Sequence, residues 1–240
     1  MTGKQALSSI GNAGDNLLLG NAAANILKGL AGNDTLNGGA GRDRLEGGRG
    51  DDTYVIDSRA DVMVEKASEG SDTVRVGFNF QLGLNFENLS LTGSANVDGT
   101  GNESDNVLRG NSGNNTLSGG GGNDTLHSGR GFDVLLGGAG IDTFVLNEFG
   151  AKIDHIGDFV SGTDRLLLAP GIPVGGGPGN INFRLSTKLS DGNDFLVFDE
   201  AASTLFYDAA GNGVTLAALV TFEPGTVILA GDILNWTPIV

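Results

Sequence analysis

Aspartate and asparagine recur at one spacing in two stretches of the chain, and this spacing predicts a way to gather oxygen atoms. We cut the sequence every nine residues from Gly11 to Val55, and again from Gly101 to Val145. The sixth position then reads Asn, Asn, Asp, Asp, Asp in both blocks. Carboxylate, amide and backbone carbonyl oxygens suit a hard cation such as Ca²⁺ far better than they suit zinc.

The other positions of the nine-residue unit indicate how these oxygens are held. Six residues rich in Gly, Asn and Asp favour a turn, and the last three form a short strand whose central apolar side chain points inward. A flexible glycine-rich linker has no such apolar period. The apolar residues at the eighth position are Leu18, Leu27, Leu36, Leu45, Tyr54, Leu108, Leu117, Leu126, Leu135 and Phe144.

A turn and a strand cannot bury one apolar residue alone, so the units are expected to stack into a coil with two repeats in each turn. Repeats n and n+2 then lie on the same side, with strands ~4.8 Å apart. Because Ca²⁺ binds oxygen at ~2.4 Å, an ion between two stacked turns reaches ligands on both.

The stacking rule predicts three ion positions in each block. The pairs are Asn16 with Asp34, Asn25 with Asp43, Asp34 with Asp52, Asn106 with Asp124, Asn115 with Asp133, and Asp124 with Asp142. Only two pairs have carboxylates on both sides, and the mixed pairs are expected to bind more weakly. The predicted metal site also includes loop glycines that expose backbone carbonyls: Gly29, Gly32, Gly38, Gly41, Gly47, Gly50, Gly119, Gly122, Gly131, Gly137 and Gly140.

Composition restricts the classes of partner. The chain has 240 residues and a net charge of −15, which argues against nucleic acid and against anionic membrane surfaces. Its 42 glycines add conformational freedom to the unfolded chain, and the absence of cysteine excludes disulfides as a compensating restraint. Such a chain needs a very regular architecture or an external source of stability, and several bound Ca²⁺ ions would supply one.

The nine-residue pieces match the pattern G-G-x-G-x-D-x-U-x, where U is a large apolar residue. On this pattern, which covers 90 residues, the chain resembles the RTX, or haemolysin-type calcium-binding, family of secreted bacterial proteins. The resemblance implies an all-β fold: a parallel β-roll, or β-solenoid, with Ca²⁺ ions between stacked glycine-rich turns and a β-rich cap at its C-terminal end.

Four regions follow from the pattern. Residues 1–55 contain the first block, residues 56–100 form a connecting β segment, residues 101–145 are the second block, and residues 146–240 form the cap and, as the resemblance implies, the type I secretion region. The connecting segment loses the nine-residue period but alternates apolar and polar residues, which is typical of strands. Leu89, Leu91 and Val97 are expected to face inward.

Two motifs after Val145 are similar to segments that follow RTX repeats in secreted proteins. IDHIGDFVSGTDRLLL resembles I-x-D-F-x-x-G-x-D-x-L-x-L, and TLFYDAAGNG resembles L-Y-Y-D-x-x-G-N-G, with Phe206 in place of a tyrosine. A hairpin turn over residues 208–213 is an equally good interpretation of the second motif. The residues carried over by the resemblance are Asp158, Phe159, Asp164, Tyr207, Asp208, Gly211 and Gly213.

The sequence predicts a binding module without catalytic activity. It contains neither H-E-x-x-H nor G-x-S-x-G, and His127 and His155 are isolated residues for which structural roles are expected. The N-terminus lacks a basic start followed by an apolar stretch, so we expect export without a cleaved signal peptide. The resemblance implies the type I secretion machinery as a partner and an extracellular location, either free or at the cell surface, with an unidentified target.

Two classes of function remain open at this point. The first is a stand-alone calcium-dependent protein with a structural or adhesive role. The second is the C-terminal calcium-binding and secretion module of a larger secreted lipase, protease, epimerase or toxin whose catalytic residues lie elsewhere.

Overall fold

Short strands separated by turns make up almost the whole described chain. The computed structural model describes residues 5–146, 153–168, 183–185, 196–208 and 216–235. Within these ranges the only helical element is a single 3-10 turn, η1 (Ala230–Asp232), at the C-terminal end. No helix in the described part of the chain is long and apolar enough to cross a membrane.

The strands are β1 (Ser8–Ile10), β2 (Leu17–Leu19), β3 (Ile26–Ala31), β4 (Thr35–Asn37), β5 (Arg44–Arg49), β6 (Thr53–Ile56), β7 (Val62–Val64), β8 (Thr73–Val76), β9 (Phe80–Gln81), β10 (Asn88–Leu91), β11 (Gly99–Thr100), β12 (Val107–Arg109), β13 (Thr116–Gly121), β14 (Thr125–His127), β15 (Val134–Ala139), β16 (Thr143–Leu146), β17 (Asp154–Ile156), β18 (Arg165–Leu168), β19 (Phe183–Leu185), β20 (Leu196–Asp199), β21 (Thr204–Asp208), β22 (Leu216–Phe222) and β23 (Ile233–Asn235).

Strands that are next but one along the chain pair in parallel, which makes the protein a β-solenoid. The even-numbered strands up to β18 form one sheet together with β23, in the order β2-β4-β6-β8-β10-β12-β14-β16-β18-β23. The odd-numbered strands up to β17 form the opposite face as two sheets, β1-β3-β5-β7 and the series from β9 to β17, and β22, β21, β20 and β19 extend the second of these beyond β17. In the even sheet Leu18 pairs with Leu36, and Leu36 with Tyr54. The predicted all-β parallel roll and the stacking of repeats n and n+2 are thus confirmed.

The core is a column of apolar side chains inside the coil. Every eighth-position residue is buried, from Leu18 at 7% exposure to Leu126 at 0%. The connecting segment joins the same column, because β8 pairs with both β6 and β10. Leu89, Leu91 and Val97 are buried, as predicted. The exact boundaries of the four predicted regions stay a prediction.

The C-terminal strands continue the stack and then turn back on it. Strands β17 and β18 pair with β15 and β16, so the last repeats of the second block have a partner on their exposed edge. Beyond them, β22 pairs in parallel with β17, while β21 runs antiparallel to both β20 and β22. This arrangement closes an edge that would otherwise present unpaired backbone groups.

Two of the residues carried over from the C-terminal motifs are part of this apolar end. Phe159 packs between Phe144 and Phe222, with ring centroids 6.0 and 5.6 Å apart. Tyr207 is 4% exposed in the last antiparallel pair. Gly211, Gly213 and the side chain of Asp208 lie outside the described residues, so the predicted turn near them stays a prediction.

The apolar column predicts a large cost for removing one of its members. Leu126→Ala should lower the free energy of unfolding by ~2–5 kcal/mol, because it leaves a cavity between two stacked strands. Leu84→Ala is the control, since Leu84 is 79% exposed and its truncation should change stability by less than about 0.5 kcal/mol. Guanidinium unfolding at one fixed, saturating calcium concentration measures both, and equal costs would contradict a continuous core.

Candidate calcium sites in the glycine-rich turns

The turns take their shape from glycines at the fourth position of the repeats. In the last three repeats of each block these glycines have a positive φ, a region that L side chains rarely adopt. The values are 95° for Gly32, 144° for Gly41, 118° for Gly50, 96° for Gly122, 142° for Gly131 and 141° for Gly140. At the second position Leu30 also has a positive φ, of 90°, where the other five of these six repeats have glycine.

Sixth-position aspartates connect the stacked turns through their side chains. In each case the Oδ1 atom accepts a hydrogen bond from the backbone N–H of the sixth-position residue one coil earlier. We call this series the aspartate ladder. Its bonds join Asn16 to Asp34 (2.7 Å), Asn25 to Asp43 (2.7 Å), Asp34 to Asp52 (2.7 Å), Asn106 to Asp124 (2.8 Å), Asn115 to Asp133 (2.7 Å) and Asp124 to Asp142 (2.9 Å).

The second carboxylate oxygen of these aspartates has a different environment. The Oδ2 atoms of Asp34, Asp43, Asp52 and Asp124 are buried and have no hydrogen-bond partner in the protein. A buried charged oxygen without a partner costs several kcal/mol unless a cation or a proton neutralises it. These atoms therefore fit a cation held within the turns.

First-position glycines make the room for these oxygens. A Cβ atom on Gly29 would overlap both the Asp34 Oδ2 atom and the carbonyl oxygen of Gly47. A carboxylate oxygen from one turn and a carbonyl oxygen from the turn stacked on it therefore lie side by side, as a calcium site requires. The same overlap with the aspartate of their own repeat occurs at Gly38, Gly47, Gly119 and Gly137.

Burial makes ionisation of these carboxyl groups unfavourable in the cation-free fold. It raises the pKa of Asp124 to about 7, with the charges of Asp142 and Asp105 adding to the effect. It raises the pKa of Asp52 to about 6, and the neighbouring Asp34 charge acts in the same direction. The pKa values of Asp34 and Asp142 are also raised, mainly by burial.

The asparagines at the start of each block use their side chains differently. The Oδ1 atoms of Asn16, Asn106 and Asn115 accept hydrogen bonds at 2.7–2.8 Å from the backbone N–H four residues earlier, in their own turn. Asn25 donates from Nδ2 to Asp43 Oδ1 at 2.8 Å. The protein itself thus supplies partners for these amide groups, in contrast to the orphaned aspartate oxygens. The ligand role predicted for these asparagines stays a prediction.

The aspartate ladder extends beyond the residues predicted from the sequence. Asp61 and Asp72 accept the N–H groups of Asp43 and Asp52, at 3.0 and 2.9 Å. At the end of the second block, the N–H groups of Asp133 and Asp142 donate to Asp154 and Asp164, at 3.0 and 3.1 Å. Asp52 and Asp142 therefore have ladder neighbours on both sides, whereas the sequence interpretation placed them at the ends.

A short signal could have identified these four residues. Each is followed two positions later by an apolar residue of a strand, as in Asp72-Thr73-Val74 and Asp164-Arg165-Leu166. This tripeptide, an aspartate followed two positions later by an apolar residue, recurs where the nine-residue spacing is lost. The irregular turns change the number of residues in each coil, but the strand that follows the aspartate stays the same.

Neither histidine lies in the turns that carry the ladder. His127 is in strand β14, where burial and then the charge of Arg109 lower its pKa to about 4. His155 contacts the Thr221 Oγ1 atom at 3.1 Å and the Glu223 Oε1 atom at 3.3 Å, between the cap strands. These contacts fit the structural roles predicted for both residues.

The raised pKa values predict that acid favours the cation-free fold. These carboxyl groups titrate near 3.9 in an unfolded chain and at about 6 for Asp52 and about 7 for Asp124 in the folded chain. Folding therefore takes up protons, and the stability of the cation-free fold falls as pH rises through this range. In chelator, the β-sheet circular dichroism signal should be larger at about pH 5 than at about pH 8.

Sodium chloride at about pH 8 is the control, because salt screens exposed charges much better than buried ones. Recovery of the β signal by salt alone would attribute the loss to general repulsion instead of the buried carboxylates.

Comparisons with known proteins agree with this geometry. The profile of the RTX calcium-binding nonapeptide repeat matches four stretches of the chain, residues 10–36, 19–54, 100–135 and 129–147. The endo-1,3-1,4-beta-glycanase ExsH of Rhizobium meliloti (strain 1021) is 42% identical over 60 residues, which are 25% of this chain and 13% of the glycanase.

Among solved structures, the extracellular lipase LipA from Serratia marcescens aligns with 98% of this chain and 40% of its own, at 18% identity and a TM-score of 0.35. The chain therefore spans well under two thirds of either relative. The matched stretches contain the glycine turns and the six ladder aspartates of the two blocks, so both blocks match the RTX calcium-binding nonapeptide repeat.

Proposed function

We propose that this chain is a secreted module that folds when Ca²⁺ binds between its stacked turns. The observation that carries the proposal is the set of buried Oδ2 atoms of Asp34, Asp43, Asp52 and Asp124, which have no protein partner. RTX repeats bind calcium as a family, and calcium would supply the positive charge that these oxygens lack.

Without the ion, two effects oppose folding. Carboxylates of successive coils come close together, and the chain already carries a net charge of −15. The 42 glycines also increase the conformational entropy that folding must overcome. Because the binding site exists only in the stacked coil, the free energy of calcium binding becomes free energy of folding.

This coupling explains how one sequence could meet two requirements. In a low-calcium cytosol the chain would remain unfolded, and an unfolded chain can pass through a narrow export channel. In calcium-rich surroundings it would fold. RTX repeat proteins are typically secreted, and we propose export by a type I machinery, with a structural or adhesive role outside the cell.

The second candidate is a calcium-binding module of a larger secreted enzyme. The similarity to the endo-1,3-1,4-beta-glycanase favours it, because the 60 matched residues form a small part of that protein. The coding sequence upstream of Met1 separates the two candidates: an open reading frame that continues upstream and encodes a catalytic domain would favour the enzyme module.

Calcium is expected to convert a largely disordered chain into a β-rich one. In chelator at neutral pH the circular dichroism spectrum should show little β structure, and the β signal should appear at ~10⁻⁴–10⁻³ M Ca²⁺. Mg²⁺ at the same concentrations should have a much smaller effect, because it prefers a tight octahedron and releases water reluctantly. A spectrum that is the same in chelator and in calcium would refute calcium-dependent folding.

Replacing one ladder carboxylate should weaken calcium binding although the hydrogen bond persists. The Asp124 Oδ1 atom accepts the Asn106 N–H at 2.8 Å. In Asp124→Asn this oxygen remains and can keep the bond, but an amide NH₂ group replaces the orphaned Oδ2 atom. We expect calcium affinity to fall at least about tenfold, which is about 1.4 kcal/mol, in isothermal titration.

Glu103→Gln is the matched control. It removes the same charge from an exposed residue of a turn in the same block, so its effect on affinity should be small. Similar losses in the two variants would point to net charge, and not to the ladder, as the cause of calcium binding.

A further inference from the structure

Three carboxylates meet at the end of the first block, and two of them lie outside the nine-residue pattern. Oxygen atoms of Asp52, Glu65 and Asp72 all lie within 4.8 Å of one another. Asp52 and Asp72 are each 1% exposed. Of the three, only Asp52 lies within a repeat, while Glu65 and Asp72 belong to the connecting segment.

The pairing of β5 with β7 explains how Glu65 reaches this position. Glu46 pairs with Val64, so the residues that follow them, Gly47 and Glu65, lie side by side. In the two preceding coils this column contains the first-position glycines, Gly29 and Gly47. A carboxylate thus enters the column at the point where the regular repeats end.

The cluster contains buried oxygens that the protein does not engage. Asp52 Oδ1 accepts the Asp34 N–H at 2.7 Å, while Asp52 Oδ2 is buried without a partner. Glu65 Oε2 is likewise buried without a partner, and Glu65 Oε1 contacts the Tyr54 hydroxyl. The Tyr54 hydroxyl also accepts the Gly47 N–H at 2.6 Å, which holds it beside the carboxylates.

At the end of the second block the corresponding carboxylates have backbone partners, in contrast to the carboxylates at the end of the first block. There Asp158 lies beside Gly137 in the next coil, as Glu65 lies beside Gly47 in the first block. Its two oxygens accept the N–H groups of Gly137 and Gly138, both at 2.9 Å. The Asp164 oxygens accept the N–H groups of Asp142 and Val160, at 3.1 and 2.8 Å. Phe144 stands where the first block has Tyr54, and at this end backbone amides engage both oxygens of Asp158 and of Asp164.

We infer that Asp52, Glu65 and Asp72 form one further calcium site, which shares Asp52 with the last repeat and closes the first block. Oxygens within 4.8 Å of one another can all contact an ion at ~2.4 Å. Three carboxylates offer more negative charge than any pair within the repeats. The inference adds one ion to the calcium-dependent module proposed above, and therefore rests on that proposal.

The competing explanation is that protons, and not an ion, neutralise the cluster. A buried Glu–Tyr contact is compatible with a protonated carboxyl group, and burial also raises the pKa of Asp72 to about 7, with the charges of Glu65 and Asp52 adding to this. The two explanations differ in one measurable quantity, the number of calcium ions bound by the folded chain.

The test counts bound calcium in the folded full chain by native mass spectrometry and equilibrium dialysis. Glu65→Gln keeps the side-chain volume and an acceptor for the Tyr54 hydroxyl while removing the charge, and it should bind one ion fewer than wild type. Asp72→Asn should show the same loss. Circular dichroism of the same samples verifies that each variant is folded.

Two control variants should retain the wild-type number of ions. Glu69→Gln removes an equal charge from the same turn, where the partly buried Glu69 carboxylate contacts the exposed Lys66 ammonium group at 3.1 Å. Asp158→Asn changes the corresponding position of the second block, where backbone N–H groups already donate to both oxygens of the Asp158 carboxylate. A loss of one ion in Glu69→Gln as well would attribute the effect to net charge and overturn the assigned site.

The outcomes also separate this inference from the proposed function. A wild-type chain that binds no calcium refutes the calcium-dependent module itself. A wild-type chain that binds calcium, with an unchanged number of ions in folded Glu65→Gln, overturns only the additional site and favours protons. If Glu65→Gln does not fold, Glu65→Asp retains the charge with a shorter reach. In that variant the inference requires weaker binding of one ion, and unaltered binding overturns it.

Discussion

The structure depends on carboxylates that must be buried one above another. Each ladder aspartate uses one oxygen to bind the backbone of the preceding coil, as Asp52 does with the Asp34 N–H at 2.7 Å. The same geometry directs its second oxygen into the turn, where the protein offers no partner to Asp34, Asp43, Asp52 or Asp124. The hydrogen bond that sets the register therefore also leaves a buried oxygen that a cation or a proton must neutralise, and the fold and the proposed function share one cause.

The other features of the repeat make this arrangement sterically possible. Glycine at the first position leaves space beside the carboxylate, since a Cβ atom on Gly29 or Gly119 would overlap the aspartate of its own repeat. Glycine at the fourth position of the last three repeats of each block adopts the positive φ of the turn. One apolar residue in each strand fills the inside of the coil, where the eighth-position side chains are buried. The apolar column stabilises the stack but imposes no charge balance, so the ion requirement arises in the turns.

The two blocks show two ways to end a series of such turns. In the second, backbone N–H groups of Gly137 and Gly138 engage both oxygens of Asp158, and cap strands follow. In the first, Glu65 brings another carboxylate to Asp52 and Asp72. The coil itself continues through residues 56–100, because β8 pairs with both β6 and β10. The regular pattern of charged turns in the first block thus ends at this cluster, while the stacking of strands continues.

The sequence by itself determined the repeat unit, the class of fold and the kind of ligand. Period nine with one apolar residue predicts a coil, and the position of each aspartate within the unit follows from local turn and strand preferences. Those predictions concern short-range structure, which a regular repeat specifies many times over. Leu89, Leu91 and Val97 could likewise be placed inside from alternation alone.

Only the tertiary structure decided which residues meet where the period is lost. The distance along the chain between stacked positions changes from 18 residues for Leu36 and Tyr54 to 15 for Val74 and Leu89. No rule of spacing predicts such a change, because irregular turns differ in length while strand pairing keeps the coils aligned. The roles of Asp61, Asp72, Asp154 and Asp164 in the ladder, and the approach of Glu65 to Asp52, depend on that long-range alignment. The distinction between the two oxygens of each aspartate also required the three-dimensional structure, since it depends on burial and on the backbone of the neighbouring coil.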